Sequence, residues 1–140
     1  MKKLILALIL IIPVFSYADS LYFGVYTAHF EQNPRWNNNN SLVAVEFDDY
    51  LLASFTNSHG FQTYLAGREA KLNNYVSAIY GVTYGYDPKC LKIVPGDCYV
   101  STYDPSFLPA LALKFSYDTG PVSLTAIVAD YISLSIGIDF

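Results

Sequence analysis

Residues 131–140 read Tyr-Ile-Ser-Leu-Ser-Ile-Gly-Ile-Asp-Phe, and their alternation decides the fold. Successive side chains of an extended chain point to opposite faces. Ile132, Leu134, Ile136, Ile138 and Phe140 therefore share one face, and Ser133, Ser135, Gly137 and Asp139 share the other. The polar face carries little beyond hydroxyls and glycine. This is the pattern of a strand whose apolar side meets hydrocarbon and whose polar side meets an enclosed lumen.

Working back from this stretch, the same period recurs. Phe107, Leu111, Leu113 and Phe115 oppose Ala110, Ala112, Lys114 and Ser116. Val76, Tyr80, Val82 and Tyr84 oppose Ser77, Gly81, Thr83 and Gly85, while Val43, Val45 and Phe47 lie across from Glu46. Further strands are predicted over residues 21–30, 51–56, 61–70 and 121–129. That makes about eight, the smallest common transmembrane barrel. Turn chemistry separates them at Asp48-Asp49, Asn57-Ser58-His59-Gly60, Leu72-Asn73-Asn74 and Asp118-Thr119-Gly120-Pro121. The connections at 31–40 and 87–104 are longer and fall on the side opposite the N-terminus, as expected for extracellular loops.

Composition agrees. Of 140 residues, 53% are hydrophobic and 14% charged, with 13 Tyr and 9 Phe. A typical soluble domain carries about 25% charged residues. The formal charge is −4, with eight basic and twelve acidic residues. Without residues 1–18, which hold Lys2 and Lys3 and no acid, six basic and twelve acidic residues leave −6. An acidic chain with no Lys/Arg run is not a nucleic-acid binder.

Residues 1–18 read as a secretory signal peptide, leaving residues 19–140 as the barrel. Lys2 and Lys3 precede an apolar run over residues 4–12, Pro13 ends it, and Ser16-Tyr17-Ala18 offers small residues for cleavage after Ala18. The run is too short for a spanning helix, which needs about 20 residues. Export combined with greasy strands predicts the bacterial outer membrane, because a closed barrel satisfies every backbone group in lipid. The competing architecture is a soluble periplasmic sandwich or lipocalin-like barrel, whose alternation would be equally clean.

Few residues offer chemistry. Cys90 and Cys98 flank Pro95-Gly96-Asp97 in the long 87–104 connection, and an oxidising compartment predicts a loop-closing disulfide between them. Two distant histidines and two cysteines give no zinc spacing, and no cofactor motif is present. His29 ends the first strand, and Ser58 lies in the tight Asn57-Ser58-His59-Gly60 turn at the same rim. A histidine base beside a serine hydroxyl is minimal equipment for acyl transfer, although Asn-Ser-His-Gly is also ordinary hairpin chemistry. Strand parity groups Ser58 with Leu52, Ser54 and Thr56, read as inward. It groups His29 with lipid-facing Leu21, Phe23 and Val25 unless a bulge intervenes.

The terminal Phe140 resembles the C-terminal signature that the outer-membrane assembly machinery recognises. Thr27-Ala28-His29-Phe30, Phe55-Thr56-Asn57-Ser58, Leu65-Ala66-Gly67 and the stretch from Pro105 to Leu124, with its Gly120-Pro121-Val122, together resemble the PagP-like lipid A palmitoyltransferases. The resemblance implies a monomeric eight-stranded antiparallel barrel that moves an acyl chain from phospholipid to lipid A. It implies His29 and Ser58 as catalytic residues, and an acyl chain lying beside Gly81, Thr83 and Gly85. Asn57 stands where the family carries an aspartate. Asn cannot carry negative charge, so Asn57→Asp should raise activity if that charge is limiting. The family's amphipathic helix before the first strand has no counterpart, since Leu21 opens a strand almost at once. The second expectation is a barrel of the same fold without catalysis, acting on the envelope or surface through its extracellular loops.

Overall fold

A computed structural model describes residues 19–30, 37–89 and 104–140. Within these, eight antiparallel strands form one closed barrel in sequence order. They are β1 (Ser20–His29), β2 (Val43–Phe47), β3 (Tyr50–Thr56), β4 (Gln62–Lys71), β5 (Val76–Tyr86), β6 (Ser106–Asp118), β7 (Val122–Val128) and β8 (Tyr131–Asp139). The proposed signal segment and the Cys90–Cys98 pair lie outside the described residues.

Each strand pairs with its sequence neighbour, and β8 closes on β1. An even number of up-and-down strands brings both termini to one end. There the Phe140 amide donates to the Asp19 carbonyl at 3.0 Å. That lower end carries the tight β2–β3, β4–β5 and β6–β7 turns. The upper end carries the longer β1–β2, β3–β4 and β5–β6 connections and the short β7–β8 turn.

Burial is inverted relative to a water-soluble domain. Among the described residues, six hydrophobic side chains are buried against fifteen polar or charged ones. Large apolar residues, including Phe107, Leu134, Ile136 and Ile138, line the outside. The interior is shared between a small apolar cluster (Tyr22, Leu42, Ala44, Leu51, Phe55 and Ile79) and a strip of hydroxyls on β7 and β8: Ser123, Thr125, Ser133 and Ser135.

Two register details correct the sequence reading. In β3 the inward face is Leu51, Phe55 and, just beyond the strand, Asn57, whereas Leu52 is 45% exposed. The Asp48-Asp49 turn pairs Phe47 with Tyr50, so Val45 faces Leu52 and Glu46 faces Leu51. Directly paired residues share a face, and with Val43 and Val45 outward, Leu52 and Ser54 must be outward too. The hydroxyls of Ser54 and Thr56 mimic lumenal residues, but the tight turn overrides them.

In β1 a bulge does intervene. Gly24 pairs with Ser135 and Tyr26 with Leu134, leaving Val25 as an extra residue. One extra residue reverses the faces beyond it. Ser20 and Tyr22 point inward below the bulge and Thr27 above it. His29 is thereby moved from the outer face to the lumenal one.

Glycine at 81 and 85 serves the backbone. Gly67 pairs with Gly81, and a Cβ on Gly81 would collide with the Ala66 carbonyl oxygen. Gly85 is the extra residue of a second bulge, between Tyr84 and Tyr86, at φ +132°, which L side chains rarely adopt.

Candidate active site

The lower lumen is crossed by a charged cluster. The Lys114 Nζ from β6 donates to Glu69 Oε2 of β4 at 2.6 Å, to Glu46 Oε2 of β2 at 2.7 Å and to Tyr22 Oη of β1 at 3.0 Å. The Tyr22 hydroxyl in turn donates to Glu46 Oε2 at 2.9 Å. An ammonium has three donors, and all three are used. The Tyr22 ring also lies under the ammonium, 4.6 Å from Nζ to its centroid. Desolvating such charges is costly unless they are paired and hydrogen-bonded; here four strands supply the partners.

Above this floor lies a cavity of about 280 Å³. Its lower wall is apolar, from Leu42, Leu51, Phe55, Leu65, Ile79 and Ile127. Its upper rim is polar and includes His29, Asn37, Asn57, Ser58, Asp130 and Tyr131. The three residues singled out from sequence, His29, Asn57 and Ser58, thus line one cavity. Thr83 lines it as expected, whereas Gly81 and Gly85 are taken up by contacts between strand backbones.

His29 pairs with Tyr131 across β1 and β8, with ring centroids 6.1 Å apart. Its Nδ1 lies 3.1 Å from Asn38 Oδ1. Ser58 sits in the β3–β4 turn, where its carbonyl accepts from the Asn37 amide at 3.1 Å. Next to it, the His59 imidazole is held below its ordinary pKa, first by burial and then by the charge of His29. His59 Nδ1 is buried without a hydrogen-bond partner among the described residues.

Asn57 is 2% exposed, and its amide is committed on both sides. Its NH₂ donates to Thr63 Oγ1 at 3.0 Å and to the Gly85 carbonyl at 3.2 Å. Its oxygen accepts from the amides of His59 and Phe61, both at 3.0 Å. This fixes the turn that presents Ser58 and ties it to the bulge in β5. A carboxylate could accept from the two amides but could not donate to the Gly85 carbonyl.

Among the described residues, β6 pairs with β7 only from Leu113 to Asp118, and Ser106 through Ala112 have no ladder partner on the β7 side. Leu108, Pro109, Ala110, Leu111 and Ala112 from that edge line the cavity. Pro109 lacks the amide hydrogen a further strand would need.

Two features escaped the sequence reading. Alternation places Glu46 and Lys114 inward but does not connect them, and it leaves Glu69 unassigned. The signal was present, since a charge on the inward face of a narrow barrel needs a partner across it. The asparagine run at 37–40 read as loop, yet it braces the rim. No family model matches the chain, and neither does any curated protein or solved structure.

Proposed function

We propose that this chain is an outer-membrane barrel that receives the acyl chain of a phospholipid in its upper lumen and transfers it to lipid A. The observation that carries the reading is the single cavity joining an apolar lower wall to a rim bearing His29 and Ser58. Greasy outward faces around the barrel suit hydrocarbon, and the upper edge of β6, without a β7 partner among the described residues, offers a lateral path from lipid into the cavity. The charged floor of Lys114, Glu46 and Glu69 ends the apolar compartment, so a hydrocarbon tail lies above it.

In the transfer, His29 takes the proton from an acceptor hydroxyl of lipid A as that oxygen attacks the donor ester carbonyl. The ester C–O bond breaks, the lysophospholipid oxygen leaves with that proton, and the new ester remains on lipid A. Ser58 supplies a hydroxyl hydrogen bond to the reacting centre. No metal or redox partner is needed for the atoms to balance.

The second reading is a barrel without catalysis that works through its upper loops. Asn57 favours it, because its side chain is consumed in holding the turn and leaves no carboxylate at that position. Lipid A mass spectrometry separates the two. Expression in a Gram-negative host should add one acyl mass to lipid A, and His29→Ala and Ser58→Ala should each abolish it. An unchanged lipid A profile with folded barrel in the membrane removes the acyltransferase and leaves the loop reading.

A further inference from the structure

Residues 37–40 are four consecutive asparagines, and each is built into the upper rim. The Asn37 amide donates to the Ser58 carbonyl, and its side chain donates to the Asn57 carbonyl at 3.3 Å. Asn37 also holds Asn39 through bonds to its amide and carbonyl. Asn40 donates to Ser133 Oγ of β8 at 2.7 Å, and its carbonyl accepts from the Thr56 amide at 2.6 Å. The run therefore stitches β1, β8 and the β3–β4 turn together where no regular β1–β2 ladder exists, since that ladder ends at Phe23 and Val43.

Asn38 holds β1 at two points. Its carbonyl accepts from the Thr27 amide at 3.2 Å, and its side-chain oxygen lies 3.1 Å from His29 Nδ1. Thr27 and His29 are the two lumenal positions above the bulge. The backbone bond fixes where Asn38 sits, and the side-chain bond then acts on the imidazole. Oδ1 can only accept, so this contact is a hydrogen bond when Nδ1 carries the proton.

We infer that Asn38 is a positioning residue of His29: it biases the imidazole toward the Nδ1–H tautomer, which leaves the basic lone pair on Nε2. The inference rests on the proposed role of His29 as base. Free imidazole side chains favour the opposite tautomer only slightly, and one net hydrogen bond shifts such an equilibrium by about fivefold. A neutral amide is sufficient for this task, so it does not require a carboxylate at position 57.

Nitrogen-15 spectra of the imidazoles test it, on full-length mature protein folded in detergent micelles at about pH 8, above the usual histidine titration. The wild-type spectrum is expected to show His29 protonated on Nδ1. Asn38→Ala should move the tautomer ratio about fivefold toward Nε2–H. Asn38→Asp, which keeps an acceptor, should retain Nδ1–H. The His59 signals report whether each variant keeps the folded rim. A wild-type His29 protonated on Nε2 overturns the inference even if no variant folds, and so does a ratio indifferent to Asn38→Ala. Lipid A analysis is read separately: a tautomer that responds to Asn38 without any acyl transfer removes the enzyme and leaves the pairing. Acyl transfer with an indifferent tautomer does the reverse.

Discussion

Lys114 and Glu69, 45 residues apart in the chain, meet at 2.6 Å across the barrel lumen. Their contact, together with Glu46 and Tyr22, is the only place among the described residues where ionised side chains are buried against each other.

Removing the ammonium leaves two carboxylates buried without a counter-charge. Lys114→Met is therefore expected to cost about 3–5 kcal/mol of unfolding free energy, the range for breaking a buried pair. Denaturant titration in lipid vesicles would measure it. The triple variant Lys114→Met, Glu46→Gln, Glu69→Gln should recover most of the loss, because no uncompensated charge remains. Equal losses in the single and triple variants would mean that packing, not charge, makes the cluster matter.

Asn57→Asp exchanges two donated hydrogen bonds for a carboxylate facing the Gly85 carbonyl oxygen. The expected result is a loss of about 1–3 kcal/mol, the cost of leaving a buried polar group unsatisfied. No gain in lipid A acylation is expected, in contrast to what the family resemblance implies. Unfolding midpoints and lipid A spectra on the same preparations check both halves.

His59 gives the rim a pH dependence with a defined sign. Burial lowers its pKa from the ordinary 6.5, and the neighbouring charge of His29 lowers it further. The folded turn thus binds fewer protons than the unfolded chain. Its stability is full above pH 6.5 and declines as pH falls from there toward the depressed value. Amide exchange at His59 and Phe61 should accelerate over that interval and stay flat above it. His29→Gln should raise the His59 pKa by NMR titration but not restore 6.5, since burial remains the larger cause.

Gly85→Ala places a Cβ against the Gln62 carbonyl and Thr63 at a backbone angle only glycine takes readily. A cost of about 1–3 kcal/mol is expected from the strained angle alone. Because the Gly85 carbonyl also anchors Asn57, the variant should loosen the Ser58 turn. Faster amide exchange at residues 57–61 would register this.

The strand set was legible because side-chain period and turn residues agree. The faces of β6, the lower part of β5 and β8 follow directly from alternation over residues 107–116, 76–84 and 132–140. Parity failed where one residue changes the count. Val25 at its bulge reverses β1 and brings His29 to the lumen, and no local composition marks it. In β3, hydroxyls at Ser54 and Thr56 outweighed the two-residue turn that sets the register. The rim was half visible. His29, Asn57 and Ser58 line one cavity, but the contacts of Asn38 depend on a loop returning across β1, which spacing does not encode.

Whether the outward apolar side chains reside in lipid decides between a membrane barrel and a soluble one. Separation of cell envelopes on a density gradient, after expression of the full chain in a Gram-negative host, measures this. The processed protein is expected in the outer-membrane fraction, extractable only with detergent and shifting in gel mobility on heating. Recovery of the processed chain in the detergent-free periplasmic extract would contradict it.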